Sequence, residues 1–477
     1  MPMINSESAE CIIPNLDLFN IPPTDTSFVD SSKWHIENPI TSITRGGVID
    51  FVINSNPDVY LDLNKSYIDL EFSINDSAGK VIKKEEAEDS GDVNAVATAK
   101  TNNKQNIAFP EQYFSASLFK NVEVFLNDSL VSNSDNMYAY RAYIEALLSY
   151  NKNVKNEHLN MSGWFEDDNV GSDVMEWRDS ETLVKEDIND TGVKNKGVFW
   201  RFYYSKYSTK VQMIGRIHSD IFNQVNYIPG KHQLKIKFHL HSPEFCIRAA
   251  EDNAKFTVQL EKMQLGIKKC EVGSHIREAH ERKLLSSSNE AMKYAFNHVQ
   301  MKFFMHSNTN RHLSEPNLCN GLLPNKIVIA LVDSSAFNGD FNLNPFNFQN
   351  FGATSIVLRK NGFPTPYQEL SLNYEENRFL NGYMSMISGT GNMFSNETLG
   401  ISPQEYKHGK CVYVFDLANS TTDNCLALQH EGRISLDIKV GSTSNNGITI
   451  IAYLQYDSVM HINNDNDVYF SNKENSV

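Results

Sequence analysis

Residues 113–150 read YFSASLFKNVEVFLNDSLVSNSDNMYAYRAYIEALLSY and join a strand pattern to a helix pattern. In the first part, Val122, Val124 and Leu126 recur at the two-residue period of a pleated strand. Residues 127–129, Asn-Asp-Ser, then favour a turn, because Asn and Asp tolerate left-handed backbone and form local hydrogen bonds. The pattern predicts a strand that ends in a tight polar turn.

The second part of this stretch has the spacing of an amphipathic helix. Arg141 and Glu145 form an i,i+4 pair on a different face from the apolar residues. Residues 134–136, Ser-Asp-Asn, are candidate N-terminal caps, because such side chains accept hydrogen bonds from free backbone N–H groups. The apolar residues of this helix are Tyr140, Tyr143, Ile144, Leu147 and Leu148.

The composition is that of an ordinary globular protein. The chain has 477 residues, of which 40% are hydrophobic and 21% charged, and it has room for about two domains. No run approaches the ~20 apolar residues of a membrane span, and the N-terminus lacks the basic start and apolar core of a signal peptide. We therefore expect no membrane span and an intracellular chain.

Charge and cysteine usage exclude two broad classes of function. The formal net charge of −15 argues against broad, non-specific wrapping of nucleic acid, which needs clustered Lys and Arg. The basic residues 231–237 are more simply an exposed strand face. The six cysteines contain no C-x-x-C pair, which argues against a zinc ribbon or a thioredoxin-like motif, and reduced thiols are the default.

Short segments with one apolar face and turn residues between them recur along the chain, which indicates a β-sandwich or barrel. Residues 327–332 are a continuous apolar run, as in a strand buried on both faces. Residues 198–204, VFWRFYY, are rich in strand-forming residues and predict a further strand. The polar residues 77–106 predict a long surface loop, and we place the outer tip of the molecule at the acidic residues 85–92.

The two halves of the chain follow the same order of elements. Residues 230–238 and 432–440 each form one alternating strand near the close of a half, followed by a loop and a long last strand. The residues alone indicate two β-sandwich halves. Each half has room for about eight strands, and two such halves suggest two jelly rolls, the double-sheet solution to exposed strand edges.

This order of elements predicts five regions of the chain. They are an extended N-terminal arm (1–32), a first jelly roll (33–272), a charged and Ser-rich connector (273–292), a second jelly roll (293–465) and a C-terminal tail (466–477). For the arm, simple disorder is the alternative.

Several motifs, in the same order along the chain, resemble the major capsid proteins of Polinton (Maverick) elements and the related adintoviruses. In that family, a strand ending in FLND precedes a YPYRAYIE-like helix; here the helix reads YAYRAYIE at 138–145. The resemblance runs from about residue 18 to 462 and departs in loops, after residue 74, at 166–196 and at 419–422. The other matching stretches are LFNIPPT (18–24), LLPNKIVIALVDSSAFNG (322–339), NPFNFQ (344–349), VYVFDL (412–417) and IIAYLQYD (450–457).

The resemblance implies an all-β double jelly roll, with two eight-stranded β-sandwiches in tandem and short helices in the loops. It implies that three copies form a pseudo-hexagonal capsomer, and that capsomers tile an icosahedral shell around double-stranded DNA. The implied partners are the homotrimer, neighbouring capsomers, a single-jelly-roll penton protein and a minor cement protein, with no specific nucleic-acid recognition. The implied location is the virion, after an intracellular stage in the host.

Motifs for catalysis are absent from the sequence. There is no Walker or Rossmann glycine pattern, no H-E-x-x-H and no G-x-S-x-G elbow. His239 and His241 lie two apart on one strand, and His275 and His280 flank a charged segment, but isolated pairs are more often surface histidines than ligands. Paired-acid glycosidase chemistry stays open from spacing, although no pair stands out. We expect no enzyme, no catalytic residue, no cofactor and no metal.

Four phenylalanines crowd one region of the second half: Phe341, Phe346, Phe348 and Phe351. One interpretation places them in the core between the sheets. The other places them at a subunit interface, because the Asn and Pro between them suggest a loop, and exposed aromatic rings seldom stay unpaired. We predict that part of this segment lies at the trimer contact.

Three functions stay open at this point. The first is a major capsid protein that acts by assembly. The second is a carbohydrate-binding or hydrolytic β-sandwich protein, which requires a concave patch of aromatic side chains with convergent carboxylates. The third is a host-domesticated copy of a capsid gene, with the fold but no virion. The N-terminal arm and the residues after His461 are candidates for tying capsomers together.

Overall fold

The computed structural model describes residues 18, 25–28, 32–43, 47–83, 107–167, 195–249, 255–286, 290–418, 426–442 and 444–471. The predicted outer tip and most of the predicted arm lie outside these residues. The strands of the first half are β1 (Lys33–Glu37), β2 (Val48–Ile53), β3 (Val59–Asp76), β4 (Ala108–Pro110), β5 (Phe119–Leu126), β6 (Ser129–Asn133), β7 (Val211–Arg216), β8 (Ile228–Pro229), β9 (Leu234–Leu240), β10 (Ile247–Ala249) and β11 (Phe256–Glu271).

The described residues of the second half form ten more strands, and the described helices lie mostly between strands. These strands are β12 (Met292–His306), β13 (His312–Leu322), β14 (Lys326–Asp333), β15 (Ala353–Lys360), β16 (Phe363–Pro364), β17 (Leu370–Ser371), β18 (Val412–Asp416), β19 (Glu431–Val440), β20 (Ile448–Ile462) and β21 (Val468–Phe470). The α-helices are α1 (Phe114–Ser117), α2 (Tyr138–Ser149), α3 (Lys152–Asn156), α4 (Lys196–Ser205), α5 (Pro243–Cys246), α6 (Ser274–Leu285), α7 (Ser334–Asn338), α8 (Leu380–Gly389) and α9 (Pro403–Lys407), and the 3-10 helices are His158–Ser162, Lys206–Ser208 and Asp220–Phe222.

Eight main strands of the first half form two four-stranded antiparallel sheets. Their strand orders are β1-β11-β3-β7 and β2-β9-β5-β6. Alternate side chains point into the space between the sheets, as the two-residue period requires. Ile49 and Phe51 of β2, and Ile236 and Phe238 of β9, are fully buried there.

The second half repeats this topology. Its sheets have the orders β12-β20-β14-β18 and β13-β19-β15-β16. Counting the eight main strands of each half in chain order, both halves have the sheets 1-8-3-6 and 2-7-4-5. This is the arrangement of a jelly roll, so the protein is an all-β double jelly roll with short helices in its loops.

Several local predictions are confirmed. Strand β14 is buried on both faces from Ile327 to Val332. A turn was predicted at 127–129; Asn127 and Asp128, with φ of 48° and 64°, form it, and Ser129 already begins β6. Asn361-Gly362, a dipeptide typical of hairpin turns, has φ of 53° and 87° and forms the turn between β15 and β16. Left-handed backbone at both central positions matches the twist of a hairpin.

The predicted helix after the first of these turns is present as α2, but its predicted cap is wrong. The N-cap is Met137, and no side chain caps the helix. Asp135 and Asn136 instead adopt left-handed backbone, with φ of 50° and 60°. They form the turn into the helix, so their side chains do not take the capping position.

The strand predicted at 198–204 is also wrong, because these residues lie in helix α4. The Asn195 side chain accepts a hydrogen bond from the Val198 N–H and starts the helix. Val198 and Phe202, four residues apart, then fall on one buried face. The helical spacing also buries Arg201 against acidic partners, and this tertiary environment overrides the intrinsic strand preference.

Two described segments bear on the predicted connector and tail. Helix α6 lies within 273–292, and β12 begins at Met292. Strand β21 pairs with β20, so the beginning of the predicted tail belongs to a sheet of the second half. The domain limits themselves stay predictions. No helix in the described parts of the chain is long and apolar enough to cross a membrane.

Candidate functional site at the junction of the jelly rolls

Helix α2 lies between the two jelly rolls and carries the apolar part of their junction. Nine of its twelve residues are buried. The Tyr140 ring stacks on Phe337 of the second half, with ring centroids 5.5 Å apart. The Tyr143 ring stacks on Phe346 at 4.4 Å and on Trp164 at 5.0 Å. Offset stacking and area burial therefore both hold the halves together.

The four phenylalanines of the second half do not all lie in the same environment. Phe346, Phe348 and Phe351 are 2%, 0% and 7% exposed within the single chain. The first two contact α2, so they belong to the junction core. Phe341 is half-buried and packs edge-on against Phe256. Of the four rings, Phe341 is therefore the one that remains a candidate for the subunit contact, and that contact stays a prediction.

A buried ionic cluster lies beside these rings. The Arg141 Nη2 donates to Asp220 Oδ1 at 2.6 Å, and its Nε donates to Glu145 Oε1 at 2.9 Å. The Arg141 and Asp220 side chains are fully buried. On its other side, Asp220 faces the second half: His298 Nδ1 lies 2.7 Å from Oδ2, and the Val299 N–H donates to Oδ1 at 3.2 Å. One carboxylate therefore joins a helix of the first half to strand β12 of the second.

The cluster keeps its carboxylates ionised. Burial alone would raise the pKa of Asp220, but the adjacent Arg141 and His298 outweigh burial and hold the pKa below its usual range. For Glu145, burial opposes Arg141 and His218 in the same way, and the net effect lowers the pKa to about 2. His218 Nδ1 lies 2.7 Å from Glu145 Oε2, and Nε2 lies 2.7 Å from the Tyr113 hydroxyl.

A second buried cluster surrounds Glu111, whose side chain is fully buried. Arg201 Nη1 donates to Glu111 Oε1 at 3.0 Å, and Nη2 donates to Asp167 at 2.7 Å. Arg248 Nη1 donates to the other Glu111 oxygen at 3.2 Å, and Nη2 donates to the backbone carbonyl of Asn342 at 3.1 Å. Because Asn342 belongs to the second half, this network also crosses the junction.

A third crossing contact is made by the buried Lys155. Its Nζ donates to the carbonyls of Leu147 at 2.7 Å and of Leu399 at 3.0 Å. Leu399 belongs to the second half. Burial, with Lys410 nearby, lowers the pKa of Lys155 to about 7. The Lys410 ammonium in turn pairs with Glu166 of the first half.

Three of the histidines noted in the sequence contact other side chains. His239 lies 3.6 Å from Glu123 Oε1, while His241 stacks on the Phe245 ring, 3.7 Å between centroids. Burial lowers the pKa of His241 to about 3. His280 Nδ1 lies 3.0 Å from the Tyr60 hydroxyl. Among the described residues, no group of three or more His, Cys, Asp or Glu side chains could hold a metal ion.

The ionic clusters were missed by sequence reasoning. Arg141 and Glu145 were recognised as a pair, but their burial and the role of Asp220 were not. The available signal was an arginine flanked by aromatic and apolar residues on every helical face, as in YAYRAYIE and VFWRFYY. Such an arginine has no solvent face, so it must meet a buried anion. The junction as a whole fixes the two halves to each other, and an open cleft beside it is lined by Glu145 and His218 of the first half and by Asp457 of the second.

Comparisons with known proteins match this architecture. No family model matches the chain. An uncharacterised protein of Caenorhabditis elegans is 22% identical over 449 residues, which cover 93% of this chain and 97% of that protein. The chain superposes over its whole length on a chain of the Sputnik virophage cryo-EM structure, covering 97% of it, with a TM-score of 0.59 and 12% identity.

Two major capsid proteins give similar matches. The Faustovirus protein has a TM-score of 0.52 and 9% identity, covering 93% of this chain and 92% of its own. The mavirus protein has a TM-score of 0.50 and 10% identity, covering 99% and 96%. At these identities the likeness establishes the double jelly-roll fold, over nearly the full length of every chain compared.

Proposed function

We propose that this protein is a major capsid protein, of the Polinton and adintovirus type, that works by self-assembly. The observation that carries the proposal is the repeated topology: one chain holds two jelly rolls of the same strand order, fixed by a buried junction. Three such chains place six similar units around one axis, which gives a pseudo-hexagonal capsomer. Closed rings of this kind arise from one heterologous contact repeated by symmetry.

The junction has a mechanical role in this proposal. A capsomer can tile a shell only if its two units keep a fixed relative position. The Arg141–Asp220 pair and the rings packed on α2 supply that constraint from within each chain. Buried ion pairs add little net stability, but leaving one charge unpaired is costly, so they favour one alignment of the two units over others.

The proposed partners follow from assembly. They are the two other chains of the trimer, neighbouring capsomers, a single-jelly-roll penton protein and a minor cement protein. The shell would enclose double-stranded DNA in the virion, without specific nucleic-acid recognition by this chain. Phe341, half-buried on the surface of the junction, stays a candidate for a contact between subunits.

The carbohydrate-binding alternative has one observation in its favour. On helix α4, the Tyr203 and Tyr204 rings are 37% and 46% exposed, and Trp200 stacks on Tyr204 at 5.5 Å. Exposed aromatic faces are suited to stacking on sugar rings. Binding on a glycan array that is lost in Tyr204→Ala would support this alternative, and an array without signal would remove it.

Electron microscopy of the purified protein tests the proposed function. Negative stain should show pseudo-hexagonal particles with three-fold symmetry, or shells built from them. Monomeric particles at high protein concentration, with an intact β-type circular dichroism spectrum, would refute the capsid proposal. A matched preparation at high salt distinguishes specific trimers from electrostatic aggregates.

A further inference from the structure

The two jelly rolls carry corresponding helices. In each half, the first helix after the fifth main strand follows a left-handed Asn: Asn136 (φ 60°) precedes α2, and Asn377 (φ 57°) precedes α8. Both helices lie between the fifth and sixth main strands. Helices α2 and α8 therefore hold the same place in the repeated topology.

Their surroundings differ in one respect. Helix α2 is buried almost all round, because its own jelly roll covers one side and the second jelly roll covers the other. Only four of the ten residues of α8 are buried. These face β18, where a Cβ on Gly389 would come within 2.5 Å of Val414. The opposite side of α8 has no covering unit within the described chain.

That uncovered side is apolar. Leu380 and Met384, one helical turn apart, are 58% and 37% exposed. Met393 and Phe394, just beyond the helix, are 45% and 95% exposed. Four large apolar side chains are thus exposed within fifteen residues, and a concentration of this kind is typical of a protein–protein contact.

A comparison of β12 with its counterpart in the first jelly roll identifies the surface that would meet α8. Within the chain, the junction places β12, the first strand of the second jelly roll, against the first jelly roll through Val299 and Asp220. Its counterpart in the first jelly roll is β1, an edge strand with four of five residues exposed. Trp34 and Ile36, on one face of β1, are 53% and 49% exposed. An edge strand has unpaired backbone groups on one side, so it can pair with or pack against another chain.

We infer that helix α8 of one copy packs on strand β1 of the next copy. This contact joins the second jelly roll of one chain to the first jelly roll of the next, as the junction joins them within each chain. Contacts within a chain and contacts between chains therefore alternate around the ring. The inference rests on the proposed trimer and names its surface.

Charge reversal on the helix tests the inference. The double variant L380E/M384E places two carboxylates in the proposed contact, and V225E/L285E places two on apolar side chains that are 78% and 71% exposed elsewhere. Sedimentation equilibrium should show trimers for the unmodified protein and the control. The α8 variant should associate at least ~100-fold more weakly, as expected for charges at the centre of an interface.

The outcomes separate the two proposals. A trimeric parent with an equally stable trimer of L380E/M384E would overturn the α8 contact and leave the capsid proposal standing. A parent that stays monomeric would overturn both. Circular dichroism of each variant checks that the fold is intact, so that loss of the trimer is not loss of structure.

A disulfide identifies the partner strand. The double variant I36C/M384C, oxidised and run without reductant, should give a covalent trimer, because each contact joins two different residues around a closed ring. The variants are made in a chain whose Cys11 and Cys425 are replaced by Ser. Each single variant should then remain a single chain, since the four other native cysteines are buried. Covalent dimers of a single variant would indicate a symmetric contact between like residues. A double variant that forms trimers but does not crosslink would exclude β1 as the partner. Either result overturns the inference.

Discussion

Replacing Asp220 with Asn should uncouple the two jelly rolls. The Asp220→Asn side chain has nearly the same shape, so it leaves no cavity. It removes the charge that neutralises Arg141 at 2.6 Å and that meets His298 of the second half at 2.7 Å. The carboxylate accepts hydrogen bonds on both oxygens, whereas the amide of Asn has an NH2 group in place of one of them, and this group cannot accept a hydrogen bond. Among the described residues, Glu145 is then the acidic partner that Arg141 retains.

The expected loss of stability follows from the burial of this pair. Both side chains are fully buried, and removing one partner of a buried ion pair costs about 3–5 kcal/mol. Glu145 retains one contact with Arg141, so we expect about 3 kcal/mol. That is a large fraction of a domain stability of roughly 5–15 kcal/mol.

Urea unfolding with two probes measures both effects. Tryptophan fluorescence reports on the first half, because all four tryptophans lie there in the sequence. It and far-ultraviolet circular dichroism should give coincident transitions in the parent and separate transitions in Asp220→Asn. The control is Glu278→Gln, which breaks the exposed pair with Arg282 (3.9 Å) and should cost less than ~1 kcal/mol. A loss below 1 kcal/mol in Asp220→Asn, with coincident transitions, would refute the assignment of Asp220 as the link between the halves.

Three further predictions concern acid, base and packing. The pKa of Glu145 is lowered from 4.5 to about 2, so between pH 4.5 and 2 the unfolded chain binds more protons than the folded chain. The free energy of unfolding should therefore fall as the pH falls through this range. The fall should be about 2–3 kcal/mol smaller in Glu145→Gln than in the parent. The pKa of Lys155 is lowered from 10.5 to about 7, so the free energy of unfolding of the parent should rise from pH 7 to 10 by on the order of 3 kcal/mol. Urea titrations of Lys155→Met should lack this rise. The same dependence of unfolding free energy on pH in both proteins would contradict the prediction. Gly389→Ala should lower stability by about 1–3 kcal/mol, because its Cβ would lie 2.5 Å from Val414; an unchanged melting temperature would exclude this crowding.

Strands and turns were predictable because their signals are local. The apolar run of β14 and the Asn361-Gly362 turn each need only neighbouring residues to specify them. The apolar residues of 256–267 do not keep a strict two-residue period, and β11 has register shifts there, between Leu260 and Lys262 and between Gly266 and Lys268.

The junction was not predictable because its partners are distant in sequence. Arg141 and Asp220 are 79 residues apart, and Arg201 and Glu111 are 90 apart. The same long-range pairing explains the wrong strand at 198–204, since burial of the Arg201 guanidinium against Glu111 requires helical spacing. The phenylalanines at 346 and 348 have loop-like neighbours, yet the rings are buried by α2.

Mass in solution tests the central claim most directly. Native mass spectrometry of the purified protein should give three times the chain mass of 54.1 kDa, with that species persisting on dilution to micromolar concentration. A single-chain mass at every concentration, from protein with intact β-structure, would contradict the proposal that this double jelly roll acts by assembly.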